Sequence, residues 1–464
     1  MSKPKSPNIL IVMPDQMRGD CLSLERHPAV MTPNIDSLGG SGAHFTRAYS
    51  TCPSCIPARR AMMTGQFPET NGVVGYKDGI PIESKTMPQY LADAGYATAI
   101  TGRTMHQSPA DEPYGFEQRR LGSTYIQDDE YARMLDEAVP ELGGIRGIGC
   151  AFNGWQAKPW PLDEYLHPTN WTVQQSRKVI AEHDDDRPLF LINSFYAPHP
   201  PLIPPSFYME RYLRMDLPSP AIGDWASPPP NDGIGMGVES ARVHLRGEAL
   251  LSAQAGYFGL INHIDDQITW LLPEFRNLSR RNGRPWLILL TSDHGEMLGD
   301  HYYFRKCEPY EGSARVPFLI QGSPELEFSR GLHCSQPVCL EDILPTLLDS
   351  AGIDIPDDID GQSLLPVLRG DEVEIRPQLH CEHSRCYSIE QAFQSLTDGH
   401  MKYIWRTHTG YEELFDIDND PSELTNLATD TSHSEELARW QGLLADRLKQ
   451  RSLQPPGDST VRRQ

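Results

Sequence analysis

Six polar residues able to hold an ion, Asp15, Gln16, Arg103, His199, Asp293 and His294, each stand at the end of a short apolar run in this 464-residue chain. Two aspartates, a glutamine carbonyl and a histidine nitrogen make a shell for one divalent cation. Oxygen-rich shells suit Ca²⁺, Mg²⁺ or Mn²⁺, and the imidazole moves the balance toward Mn²⁺ or zinc. Such an ion lowers the pKa of a bound hydroxyl and neutralises an anionic substrate group. A second constellation lies in TCPSCIPARRAMMTG, residues 51 to 65. Pro57 and the following ARRAMMTG predict a helix starting right after Cys55. The Cys55 side chain would then face the positive end of a helix dipole, with Arg59 one turn on, as an anion cradle. A thiol there is redox-reactive, a metal ligand, or the precursor of another group. The partners of a cysteine hydrolase are not recognisable, and a thiolate suits a hard cation poorly.

The elements that must position these groups are readable from periodicity. NILIVMPDQ (8–16), GYATAITGR (95–103), PLFLINSFYAPH (188–199) and PWLILLTSDH (285–294) are apolar runs fitting strands buried on both faces. MPQYLADAG (87–95), WTVQQSRKVIAEH (171–183) and LLSAQAGYFGLINHIDDQITWLL (250–272) read as helices between them. Alternating strand and helix predicts an α/β fold around a large, mostly parallel or mixed sheet sandwiched by helices. Ligands collect beyond the carboxyl ends of strands in such sheets, where all six residues fall. A single Asp or His there is an ordinary cap or turn residue, but six on different strands converge on one rim. Residues 107–160 and 200–245 are long, Pro- and Gly-rich and read as irregular coverings of a pocket. HMKYIWRTHTGYEELFDI (400–417) predicts a hairpin and EELARWQGLLADRLKQ (435–450) a helix. The expected division is a catalytic α/β domain, 1–375, and a smaller C-terminal α+β subdomain with an antiparallel sheet, 376–464.

The formal charge of −22, with no basic run, argues against nucleic acid. No stretch reaches the ~20 apolar residues of a membrane span, and the start has no cleavable leader pattern, so the expected location is cytoplasmic. Nine cysteines, an odd number scattered through a long chain, read as free thiols. Cys381, His383 and Cys386 lack a second matching pair for zinc. His380 and His383 read equally as groups reaching the substrate or as surface histidines.

Cys55-Ile56-Pro57-Ala58-Arg59, continued by Arg60-Ala61-Met62-Met63-Thr64-Gly65, resembles the sulfatase family signature. The similarity extends over nearly the whole chain, through PNILIVMPDQ, YAPHPP, TSDHGEMLGDH, Lys306 with Tyr310-Glu311-Gly312, and ELFDIDNDPSELTNLA. The resemblance implies an alkaline-phosphatase-like fold and oxidation of Cys55 to Cα-formylglycine by a formylglycine-generating enzyme. It implies one divalent metal, Ca²⁺ first with Mn²⁺ or Mg²⁺ as alternates, held by Asp15, Gln16, residue 55, Asp293 and His294. By the same analogy the aldehyde hydrate attacks sulfur, while Arg59, Lys306 and the cation take the equatorial oxygens. His199 or Lys306 protonates the leaving alcohol, and His106 is the base for sulfate release. Asn71, in TNGVVG, falls at a polar substrate contact of several relatives.

One departure stands out. The family commonly has Gly-Lys-x-His, whereas this chain has Gly102-Arg103-Thr104-Met105-His106, which puts the roles of Arg103 and His106 in question. The expected substrate is a sulfated carbohydrate or a small alkyl or aryl sulfate, with no nucleic-acid or membrane partner and homo-oligomerisation left open. The competing readings are a phosphonate monoester or phosphodiester hydrolase of the same superfamily, and a non-catalytic anion-binding protein with unmodified Cys55.

Overall fold

The computed structural model describes residues 5–106, 108–122, 128–230 and 237–451. Its strands, in chain order, are β1 (Asn8–Asp15), β2 (Ala43–Phe45), β3 (Ala48–Tyr49), β4 (Ala97–Gly102), β5 (Gln118–Leu121), β6 (Leu189–Pro198), β7 (Trp286–Thr291), β8 (Phe318–Gly322), β9 (Leu332–Cys334), β10 (Val338–Cys339), β11 (Leu379–His383), β12 (Phe393–Thr397), β13 (Met401–Arg406) and β14 (Glu412–Asp416). Eight form one sheet, in the order β5-β4-β6-β1-β7-β8-β2-β9. The four central pairings from β5 to β1, with β1 to β7, are parallel, and β8 runs antiparallel to β7 and β2. The expected α/β architecture with a mixed, mostly parallel sheet is therefore present.

Every residue of β1 is buried. Leu10 and Val12 face one apolar cluster, and Ile9, Ile11 and Met13 face the other. Alternate side chains thus anchor helices on both sheet faces, which explains an uninterrupted apolar run in a strand. The first cluster is covered by helices Pro168–Glu182 and Gly247–Asn282, the second by Ile343–Ala351 and the helix that begins at Cys55. The chain carries α1 (Pro33–Ser41) before that helix, α2 (Cys55–Thr64). Among the described residues no helix is long and apolar enough to cross a membrane.

Two expectations are corrected. The long helix does not stop at Leu272 but continues through Pro273 to Asn282, because Phe275 and Leu278 still bury against the core. The segment 107–160 is not wholly irregular: it supplies edge strand β5 and helix Glu130–Ala138. QRRL carries no apolar alternation because an edge strand needs little burial.

Toward the C-terminus, β11 to β14 form an antiparallel sheet, with helix Ser434–Lys449 packed through Trp440, Leu444 and Leu448. This sheet is joined to the large one by buried polar links. Lys402 donates to Glu311 at 2.6 Å and Glu423 at 2.8 Å, and Tyr310 donates to Glu413 at 2.8 Å.

Candidate active site

Beyond the carboxyl ends of β1, β4, β6 and β7 the chain brings together Asp15, Arg103, His199, Asp293 and His294, all buried. Helix α2 delivers Cys55 and Arg59 to the same point. It ends at Gly65, whose φ of 66° and amide bond to the Ala61 carbonyl close the helix. A side chain at 65 would strain that left-handed turn and meet Ile359 at 2.8 Å. Gly102 is needed for another reason: a Cβ there would lie 2.1 Å from the Ser194 carbonyl, so Arg103 could not leave β4 along this path.

One ligand atom from each of Asp15, Cys55, Asp293 and His294 lies within 4.8 Å of the others. Cys55 Sγ is 3.1 Å from His294 Nε2. The opposite ring nitrogen, Nδ1, donates to the Gly295 carbonyl, 2.9 Å away, so Nε2 presents its lone pair to the centre. Asp15 Oδ1 is buried and has no hydrogen-bond partner among the described residues. An orphaned carboxylate oxygen beside a second carboxylate and an imidazole lone pair is what a bound divalent cation would satisfy, so these residues fit the group.

Arg59 spans the two carboxylates, with Nη2 2.6 Å from Asp15 Oδ2 and Nε 2.8 Å from Asp293 Oδ2. Its third nitrogen reaches the Thr104 carbonyl and Ser194 Oγ. Its Nε, its Nη1 and one hydrogen of Nη2 are therefore committed to protein, and Arg59 holds the two aspartates together. Arg103 also reaches Asp15, at 2.5 Å, and its Nη2 lies 2.8 Å from His106 Nε2. The extra residue in the Arg103–His106 spacing does not carry His106 away, because φ of 54° at His106 turns the chain back toward Cys55, which it hydrogen-bonds.

Lys306 Nζ is 2.8 Å from Gln16 Oε1 and 2.9 Å from His199 Nε2. His199 Nδ1 bonds the Pro200 carbonyl at 2.7 Å, so its Nε2 is the acceptor toward the lysine. Asn71 is not brought to this cluster by any contact of its amide: Nδ2 donates to the Gln66 carbonyl at 2.9 Å and Oδ1 accepts from Val73 N at 3.0 Å.

Electrostatics follow from burying so many charges together. Burial pushes the Asp15 carboxyl up to about 7; Arg103 opposes this and Asp293 adds to it. Burial acts on Asp293 the same way, but His294, Arg59 and Arg103 outweigh it and hold that carboxyl well below the usual range. The Cys55 thiol is likewise held well below its ordinary value, against burial, by Lys306, His294 and Arg103. Burial, with Lys306 and Arg103, keeps His199 well below the ordinary imidazole value. The centre is thus strongly electropositive around residue 55.

Several contributors were not among the expected residues. Glu296 takes the Gln16 side-chain amide and also the Leu298 and Arg305 backbone amides. Tyr257, on the long helix, donates to the Gln16 carbonyl at 2.7 Å and accepts from Arg18 N at 3.0 Å. These bonds hold Gln16 at a φ of 66°, an uncommon conformation for a residue with a side chain. Ser54, just before Cys55, lies 2.8 Å from His383 Nε2 on β11. His380 and His383 are both buried, which corrects the surface alternative for them. Signals for Glu296 and Ser54 were present in the sequence, two residues past His294 and one before Cys55, and His383 had the two readings given above; for Tyr257 there was none. A second acid–histidine group, Glu69, His380 and Glu382, is neutralised by Arg447 and Arg451.

Comparison with known proteins agrees with this geometry. The family model "Sulfatase" matches residues 7–353, and "N-sulphoglucosamine sulphohydrolase, C-terminal" matches 299–452. An arylsulfatase of Clostridium perfringens is 36% identical over 96% of this chain and 95% of its own length. A choline-sulfatase of Rhizobium meliloti is 31% identical over 91% of this chain and 82% of its own. Among solved structures, the phosphonate monoester hydrolase of Agrobacterium radiobacter superposes with a TM-score of 0.78 at 24% identity, covering 96% of each chain, a likeness of fold. With that match and a buried Asp15–Cys55–Asp293–His294 centre at the sheet's carboxyl edge, the chain belongs to the sulfatase family of the alkaline phosphatase superfamily and is a sulfuric ester hydrolase.

Proposed function

We propose that the chain cleaves an O-sulfate ester of a carbohydrate or a small alkyl or aryl alcohol, with residue 55 acting as Cα-formylglycine beside one divalent cation, Ca²⁺ first. The observation that carries this reading is Cys55 Sγ at the start of α2, in the same group of ligand atoms as Asp15, Asp293 and His294. When present, the cation supplies Lewis-acid polarisation and the hydrated aldehyde supplies a hydroxyl nucleophile. Asp15, Gln16, Asp293 and His294 would hold the cation, and Arg59 keeps the two carboxylates at fixed spacing.

Lys306 brings its ammonium to the sulfate oxygens and gives a proton to the leaving alcohol. His199 cannot be that donor in the tautomer shown, because its Nδ1 proton is spent on Pro200 and its Nε2 accepts from Lys306. His199 therefore orients Lys306. His106, kept low by burial and hydrogen-bonded to residue 55, is placed to remove the proton that releases sulfate.

In the proposed division, residues 1–375 carry the chemistry and 376–464 complete the wall of the substrate cleft. Maturation by a formylglycine-generating enzyme follows from the same reading. A cytoplasmic location is supported by the cysteines other than Cys55, all of them free thiols. The phosphonate alternative is supported by fold similarity at 24% identity, against 36% to an arylsulfatase, and is the weaker reading. The test is kcat/KM for an aryl sulfate against the matching aryl phosphonate monoester. Preference for the sulfate by a factor of roughly ten or more is expected; the reverse preference would replace the reading, and no turnover by aldehyde-bearing protein would favour a binding role.

A further inference from the structure

A cleft of about 1040 Å³ opens between residues 225–227 and 239–242 on one side and Tyr387, Gln391 and Arg406 on the other, with Arg305 in its wall. Its lining includes Trp225, Tyr303, Tyr387 and Tyr411 together with Arg242 and Arg305. Both arginines stack on aromatic rings: the Arg305 guanidinium carbon is 4.0 Å from the Tyr387 ring centre and that of Arg242 is 4.6 Å from Tyr303. Neither is ion-paired among the described residues, and the Nε of each is buried without a hydrogen-bond partner there. Arg305 is only 7% exposed, so its charge is largely withdrawn from solvent. A third arginine in the wall, Arg406, differs: Glu308 at 2.9 Å and Glu413 at 3.6 Å already neutralise it.

Glu308, already paired with Arg406, also acts on Arg242 through space, and Arg242 Nη2 donates to the Ser227 carbonyl, so each guanidinium keeps part of its donors for a ligand. Glu239 meets Arg305 through its backbone carbonyl at 2.8 Å, and the Glu390 carboxylate bonds its own backbone amide and Ser388. The cleft wall is tied to the reaction centre through the chain. Arg305 directly precedes Lys306, its backbone amide bonds the Glu296 carboxylate that also takes the Gln16 side chain, and Cys307 N bonds the Pro53 carbonyl at 2.8 Å.

We propose that this cleft binds the alcohol half of the substrate and selects a ring-bearing alcohol that carries a second anionic group, a carboxylate or a further sulfate, held by Arg305 and Arg242. The aromatic faces take the ring, as they take sugar C–H faces and arenes alike. The guanidiniums take the anion through charge-assisted hydrogen bonds, which form best where water is excluded. An alcohol bearing a quaternary ammonium is disfavoured by the same two charges. The assignment rests on the sulfatase reading and deepens it.

The test compares two nitrophenyl sulfates of matched leaving-group acidity, one with a carboxymethyl substituent and one with its methyl ester, on protein whose residue 55 is verified as aldehyde by mass. The carboxylate is expected to be favoured in kcat/KM by roughly tenfold to a hundredfold, mainly through KM, and less so as salt is raised. In Arg242→Gln, on the open side of the cleft, the ratio of the two kcat/KM values falls toward one. Arg305→Lys, which keeps charge but loses the planar fork, lowers the ratio less. A ratio at or below one in the native protein, or an unchanged ratio in both variants, overturns the inference while leaving the sulfatase reading intact. Hydrolysis of neither ester overturns the sulfatase reading itself, and this assignment with it.

Discussion

Replacing Tyr257 by Phe isolates one support of the metal-ligand loop. The ring stays, so the packing of the long helix on β1 is unchanged, and only a hydroxyl with two bonds is removed. The Gln16 carbonyl is then left unpaired in a fully buried place and the Arg18 amide in a partly buried one. An unsatisfied buried group costs about 1 to 3 kcal/mol, so the Gln16 carbonyl at that cost with about 1 kcal/mol for the partly buried Arg18 amide comes to about 2 to 4 kcal/mol if no water enters. For 464 residues the unfolding entropy is on the order of 1 kcal/mol/K, which converts the loss to a Tm decrease of about 2 to 4 °C. The functional effect should be larger. Gln16 sits at a positive φ that these bonds help hold, and outer supports of metal ligands typically cost about tenfold to a hundredfold in metal affinity or activity. The assay is kcat/KM on an aryl sulfate during Ca²⁺ titration of chelator-treated protein, beside thermal unfolding with and without Ca²⁺. Tyr257→Phe should need more Ca²⁺ for half-maximal activity. Equal Ca²⁺ dependence and equal Tm would refute the claim that Tyr257 holds the ligand loop.

Other perturbations separate chemistry from folding. Lys306→Ala should lower kcat/KM by about 10² to 10³, the loss typical of one positioned transition-state donor, measured by steady-state kinetics. Arg59→Ala should destabilise by about 3 to 5 kcal/mol, because it leaves the buried Asp15–Asp293 pair with less counter-charge, and chemical denaturation reads this directly. Stability should fall with acid. Burial, aided by Arg447 and Arg451, holds His380 down to about 3, and burial holds His301 at about 4, against about 6.5 unfolded. Between those values the unfolded chain binds the extra protons, so their contribution is complete above pH 6.5 and lost as pH falls through it. Between pH 7 and pH 5 the Tm of the native chain should fall relative to that of His380→Gln.

The sequence made the parallel core and the rim legible because each central strand is apolar throughout and each ends in a polar residue. Asp15, Arg103, His199, Asp293 and His294 were readable for that reason, and Cys55 and Arg59 through the helix start at Pro57. What stayed hidden depends on partners far apart in the chain. Gln16 meets Glu296 across 280 positions and Tyr257 across 241, and nothing in local periodicity reports such contacts. The short strands β2 and β9, of three residues each, carry no detectable alternation. His383 has two readings in the sequence, and the fold removes the surface one by docking β11 against Ser54 and the start of α2. The bonds of Arg59 to both aspartates were likewise invisible, since a motif names a residue without its bonds.

The most direct measurement is fragmentation mass spectrometry of the tryptic peptide spanning residues 48–59 from an active preparation, paired with turnover of Cys55→Ala. A loss of ~18 Da located at residue 55, not at Cys52, together with no turnover in the variant, is the expected result. A fully active preparation carrying only the thiol mass at 55, or a variant that still hydrolyses sulfate esters, would contradict the account.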